Sequence, residues 1–151
     1  MVEPVRRTIE VGCDPATAFE IFTARMSAWW PLERNTVSAM SGDAARSVAL
    51  EPRVGGKVYE IKADGAREDW AVVRTFEPGK RLVLAWHVMA PESEATEVEV
   101  RFVPSGDGTR VELEHRGFEI LGSDAEARRD SYDGGWVHVF EERFAEACAS
   151  A

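Results

Sequence analysis

Ser131–Ala149 reads SYDGGWVHVFEERFAEACA, and it decides the fold. At helical spacing Tyr132, Trp136, Val139, Phe140, Phe144 and Ala147 fall on one face, an apolar arc of roughly 140° at the 3.6-residue period. His138, Glu141, Glu142 and Glu146 lie outside the arc. Arg143 lies inside it, so its stem either runs along apolar surface or its head pairs with a carboxylate. A helix with large aromatics in its first turns needs a broad apolar surface to lie on, and the upstream chain reads as that surface. Gly134 and Gly135 each cost about 1 kcal/mol relative to Ala inside a helix. They fit a helix that starts or kinks there, or a backbone that something approaches closely.

The chain has 151 residues, 44% hydrophobic and 30% charged, the composition of an ordinary globular domain. A single domain over 1–151 is expected. The net charge of −9 is spread along the elements and reads as solvated surface. Nucleic acid is disfavoured as a partner because phosphate binding needs a basic face. No apolar run approaches the roughly 20 residues of a membrane span, and the start MVEPVRRT does not resemble a signal peptide. Cys13 and Cys148 form no metal or redox motif and read as reduced thiols of a cytoplasmic protein.

Val5–Val11 (VRRTIEV) alternates as a first strand. Asp14-Pro15 supplies an N-cap followed by proline at the first helical position, and 15–30 (PATAFEIFTARMSAWW) continues as one or two short helices ended by Pro31. Trp29 and Trp30 are adjacent and are not expected both to point into the core; one of them is expected to cap a rim or to pack under a loop. The polar stretch 32–45 reads as a loop, long enough for a lid. Strands are expected at 47–51, 57–61, 68–77 and 81–89. Pro78-Gly79 joins the last two, but its loop length is open: two residues put Trp70 and Trp86 on opposite faces, three on the same one, and the direction of His87 follows that choice.

The next hairpin is clearer. Residues 96–103 (TEVEVRFV) and 109–116 (TRVELEHR) alternate strictly around Asp107-Gly108. A two-residue loop there sets Phe102 against Leu113, Val100 against His115, Arg101 against Glu114 and Glu99 against Arg116. A four-residue loop keeps the faces but opposes Glu99 to Glu114. Both put the apolar residues on the side facing the final helix.

The runs EPRVGGKVYE (51–60), TEVEVRFVPSGDGTRVELEHRGFE (96–119) and SYDGGW (131–136) resemble the homologues of the activator of the heat-shock-protein-90 ATPase, within the START-like (SRPBCC, Bet v-like) superfamily. The resemblance runs from about Val5 to the end of the last helix. It implies an α+β helix-grip fold: a curved antiparallel sheet of six or seven strands around a long C-terminal helix, two short helices after the first strand, and a cavity between sheet and helix. Superfamily members commonly bind lipids or other apolar and aromatic small molecules there, and a few are enzymes. The eukaryotic activator that names the family carries a further N-terminal domain for chaperone contact, for which these residues leave no room.

The cavity so implied would be walled by Tyr59, Trp70, Trp86, Val98, Val100, Phe102, Leu113, His115, Tyr132, Trp136 and Phe140. His115 shares the face of Val111 and Leu113 and points at the helix, either as a hydrogen-bonded core residue or as a ligand contact. With Tyr132 it forms the best pair for acid–base chemistry of the cyclase or dehydratase type; Asp133 and Glu60 are weaker. The three histidines are scattered without ligand spacing, so no metal and no cofactor are expected. Neither a GxSxG nor a phosphate-binding glycine loop is present. Three functions follow: a binding module for an apolar or aromatic small molecule, an enzyme in the same cavity, and a chaperone-regulating interaction protein, each as monomer or homodimer.

Overall fold

The computed structural model describes residues 2–151. Seven strands form one antiparallel sheet: β1 (Val5–Val11), β2 (Ser47–Leu50), β3 (Lys57–Ile61), β4 (Arg67–Glu77), β5 (Arg81–Trp86), β6 (Thr96–Ser105) and β7 (Gly108–Arg116), in the order β1-β7-β6-β5-β4-β3-β2. Two short helices follow β1: α1 (Pro15–Thr23) and α2 (Met26–Trp29). The C-terminal helix lies on the concave face, so the architecture is the helix-grip fold that the family resemblance implies, and the strand alternation and the aromatic helix agree with it.

That helix begins earlier than its apolar pattern shows. α3 (Ala125–Trp136) passes into a π-helical stretch (Val137–Phe144) and ends as α4 (Ala145–Ala149). Gly134 and Gly135 therefore sit inside it, one turn before the backbone widens. A methyl group on Gly134 would meet nothing within 4 Å. Gly134→Ala is accordingly expected to raise stability by about 0.5–1 kcal/mol, read from the urea midpoint, because it removes only unfolded-state freedom; a lower midpoint would show that the glycine serves a conformation this helix does not display.

α1 starts as its sequence dictates, with the Asp14 carboxylate accepting from the Thr17 N–H at 2.8 Å and proline in the first turn. Trp29 and Trp30 both join the core cluster, against the expectation that adjacent residues cannot both point inward, and Trp30 also packs under the loop that follows it. Trp29 ends α2 in helical geometry, whereas Trp30 is extended (φ −61°, ψ 133°), so the chain turns between them and aims both rings inward. The Trp29 indole donates to the Ile21 carbonyl and the Trp30 indole to the Asn35 carbonyl.

The β6–β7 faces are as predicted, but the register is not the favoured one. The turn is Gly106-Asp107, flanked by the pair Ser105 and Gly108, with Gly106 at φ +57°. Phe102 thus opposes Val111, and Glu99 opposes Glu114. Two facts explain the shift. Gly108 packs so tightly on β1 that a Cβ there would lie 2.1 Å from the Val11 carbonyl oxygen, so the glycine belongs in the strand. The apparent clash of Glu99 with Glu114 is answered by Arg81, Arg101 and Arg116, which all bond Glu99. Burial alone would raise the Glu99 pKa, but those arginines hold it down to about 2.

Two bulges shape the other half of the sheet. The β4–β5 loop is the three-residue one, with Glu77 opposite Arg81, and the register then slips at Arg74 so that Ala71 faces Trp86. A second slip, between β3 and β4, leaves Trp70 as the extra residue and returns its ring to the concave face. The Trp70 and Trp86 rings lie 5.9 Å apart. Cys13 and Cys148 are free thiols, the first partly buried and the second buried.

Candidate functional site

The site is an open pocket of about 440 Å³ between the mouth of the sheet and the C-terminal helix. Four of the five tryptophans line it: Trp30 after α2, Trp70 on β4, Trp86 on β5 and Trp136 on α3. Trp30 stands 5.1 Å from Trp70 and 6.1 Å from both Trp86 and Trp136, and Trp86 stands 5.8 Å from Trp136. Tilted ring pairs at these separations are favourable, and together they make a wall of flat aromatic faces. Val139, Val88, Met40 and Met89 complete the apolar surface. Met40 and Met89 are large exposed apolar residues, and Met89 is the one non-glycine residue with positive φ (+55°) among those described.

Polar groups enter at few points. The Trp86 indole N–H donates to the Tyr132 hydroxyl oxygen at 3.2 Å, and no described residue accepts the Tyr132 proton in turn. Burial raises the phenol above its ordinary pKa, with the Trp86 hydrogen bond and Arg128 opposing, so Tyr132 faces the pocket as a protonated donor. Asn35, whose Oδ1 is buried without a partner, Thr36, Ser131 and the bare backbone of Gly135 also line it.

The loop 32–45 supplies much of this rim, and it is anchored. Glu60 is wholly buried. Its Oε1 accepts from the Val37 N–H at 2.7 Å and the Trp70 indole at 3.2 Å, and its Oε2 accepts from the Ser38 N–H at 2.9 Å. One carboxylate therefore fixes both a wall ring and the rim loop. Glu60 is thus an anchor beneath the site and does not line it.

His115 is also behind the pocket wall. It is fully buried; its Nδ1 accepts from the Trp136 indole at 3.1 Å, and its Nε2 stands 2.7 Å from the Thr96 hydroxyl. With Nδ1 an acceptor, Nε2 carries the proton and donates to Thr96, whose hydroxyl donates to the Trp86 carbonyl. Burial pushes the His115 pKa down to about 3. Both nitrogens of the neutral ring are occupied, and the ring props Trp136 and, at 4.6 Å, the face of Tyr132.

Of the residues expected to wall the cavity, Trp70, Trp86, Tyr132 and Trp136 meet in the pocket. Val98, Val100, Phe102, Leu113 and Phe140 face the same way but are packed into the solid core, with Phe102 closed off by Phe19 and Phe22 of α1; His115 is buried behind Tyr132 and Trp136. Tyr59 is a correction. The neighbouring Val58 and Glu60 point inward, so Tyr59 lies on the convex side, with the Arg67 guanidinium 3.9 Å over its ring. Asp133 also lies away from the pocket, paired with Arg7. His87 is buried and its Nδ1 donates to the Ala90 carbonyl, and His138 is half-buried beside Glu142. Arg143 pairs with Glu33. Arg34, Asn35, Met40, Val88, Met89, Arg128 and Gly135 belong to the pocket without having been expected there. Among the described residues no group of acidic, histidine or cysteine side chains has the arrangement of a metal site, and no helix is long and apolar enough to cross a membrane.

Comparison with known proteins gives a consistent result. The family model described as activator of Hsp90 ATPase homolog 1-like protein matches residues 13–149. No protein of curated function matches the sequence. Among solved structures, the anthrahydroquino-γ-pyrone synthase Txn09 is 32% identical, with a TM-score of 0.67 and 95% of each chain covered. The self-sacrificing resistance protein CalC from Micromonospora echinospora is 26% identical, with a TM-score of 0.69, covering 97% of this chain and 94% of that one. The Aha1 dimer from Colwellia psychrerythraea shares 16% identity at a TM-score of 0.70, over 97% of this chain and 96% of that one, a likeness of fold.

Proposed function

The chain belongs to the activator of Hsp90 ATPase homolog 1-like family, and on the pocket built here we propose that it binds an aromatic small molecule between the sheet and the C-terminal helix. The observation that carries this reading is the meeting of four tryptophan rings on one open pocket with a single positioned phenol donor. Flat apolar walls with a few convergent polar groups are what a small-molecule site requires, and the volume lies within the roughly 300–1,000 Å³ typical of such sites. The resemblance to Txn09, described as an anthrahydroquino-γ-pyrone synthase, supports the same ligand class.

That resemblance also supports a second reading, in which the bound molecule is turned over. The group placed to act is then Tyr132, whose proton is free to donate into the pocket. His115 would serve it by holding Trp136 and the Tyr132 ring in place, since both its nitrogens are engaged elsewhere.

Binding is tested by thermal shift with a panel of hydroxylated anthraquinones and naphthoquinones. A ligand at about 100 times its Kd stabilises the fold by about 2.7 kcal/mol, a rise of roughly 5–10 °C for a chain of this size. Gly135→Leu supplies the control. A Cβ at Gly135 would make only an ordinary contact, 3.7 Å from the Asn35 amide nitrogen, so the added side chain projects into the pocket without disturbing the helix. The shift is expected to disappear in this variant while the ligand-free midpoint holds. An equal shift in both proteins would place binding elsewhere and end the proposal.

A further inference from the structure

The pocket mouth is electrostatically one-sided. The chain carries 27 acidic against 18 basic residues, yet no aspartate or glutamate lines the pocket, whereas Arg34 and Arg128 both do. They arrive from different parts of the chain, Arg34 from the loop after α2 and Arg128 from the first turns of α3.

Neither has an ion-pair partner among the described residues, although nearby arginines find one. Arg129, next in sequence to Arg128, bonds Asp130 and Asp133, and Arg143 takes Glu33, the neighbour of Arg34. Acidic side chains are thus at hand in both places and turn away from the mouth. A guanidinium is weakly hydrated, forks onto carboxylate oxygens and stacks on ring faces. Set over low-dielectric walls, two such groups focus a positive field on the opening of an otherwise negative molecule. A neutral lipid would have no use for that field, and a cation would be repelled by it.

We propose that the ligand is an aromatic acid, with its ring system among the tryptophans and an anionic oxygen substituent at the mouth against Arg34 and Arg128. This rests on the reading that the pocket binds an aromatic molecule.

Two probes of the same ring separate the ideas: anthracene-9-carboxylate and anthracene-9-methanol, each titrated into the full chain and followed by quenching of tryptophan fluorescence. The carboxylate is expected to bind at least tenfold more tightly than the alcohol at low salt, with the gap narrowing at 0.5 M salt. In R34Q/R128Q the gap closes. In R74Q, which removes an exposed arginine on β4 away from the pocket, it persists. Equal binding of the two probes to the unaltered protein, or a gap that survives in R34Q/R128Q, overturns the acid while leaving the aromatic pocket standing. Binding of neither probe overturns both.

Discussion

Glu60→Ala is expected to lower the thermal midpoint by roughly 10 °C and to abolish ligand binding. Its carboxylate is wholly buried and accepts three N–H groups, from Val37, Ser38 and Trp70. Each donor left without a partner in the interior costs about 1–3 kcal/mol, so the three together cost on the order of 3–9 kcal/mol, and the low end alone, at roughly 2–4 °C for each kcal/mol in a chain of this size, gives a drop of about 10 °C. Binding goes with it because the same contacts hold the Trp70 wall and the loop that carries Arg34, Asn35 and Met40. Glu60→Gln should be intermediate in both respects, since an amide keeps one acceptor oxygen and turns a donor toward a donor. A Glu60→Ala protein with an unchanged midpoint would mean that the rim loop is held by other contacts.

The second large effect is on pH dependence. His115 is neutral in the fold, its pKa pushed by burial from 6.5 to about 3. Below pH 6.5 the unfolded chain takes up a proton that the folded one refuses. The stability this group contributes is therefore complete above pH 6.5 and is lost as the pH falls toward 3. At pH 5 the loss is about 2 kcal/mol, at 1.36 kcal/mol for each pH unit below the unfolded value. Glu99, with its pKa held down from 4.5 to about 2, loses its contribution only below pH 4.5 and so stays out of the interval from pH 7 to 5; the difference between the unaltered chain and His115→Gln over that interval isolates His115. In His115→Gln the starting stability is lower, because Trp136 and Thr96 lose a well-placed partner, but the slope between pH 7 and 5 should flatten. Urea unfolding at the two pH values measures it. An equal slope in both proteins would show that the folded ring takes up protons freely and is not sealed behind Trp136.

These two residues show what the sequence made legible and what it did not. Alternation in 96–103 and 109–116 was enough to place His115 on the concave face, and the period of the last helix was enough to place Tyr132 and Trp136 against it. Register was not legible, because it is decided by a contact between strands far apart in sequence: Gly108 fits under the Val11 carbonyl, and three arginines make the pairing of Glu99 with Glu114 acceptable. The start of the C-terminal helix was missed because its first turns, AEARRDS, carry no apolar stripe. Trp29 and Trp30 both reach the interior because the backbone changes from helical to extended between them, a change that no side-chain pattern displays.

The pocket was half visible. Its tryptophans were singled out by type, but Tyr59 shows the risk of type without direction: the inward residues of β3 are Val58 and Glu60. The rim comes from irregular segments, 30–40 and 88–89, where no periodicity exists to be read. One signal there was available. Glu60 lies inward in a strand with no basic residue on its face, and a buried carboxylate without a cation must find backbone N–H groups. Such a residue points to a loop folded down upon it.

Native mass spectrometry of the freshly purified chain, followed by denaturation and extraction, addresses the binding pocket most directly. The expected result is a bound mass of a few hundred daltons that is released on denaturation, absorbs as an aromatic chromophore and is absent from Gly135→Leu. Protein that comes through without an adduct, and gains no thermal stability from any member of the aromatic panel, would contradict the account and leave the four tryptophans as the packing of an ordinary core.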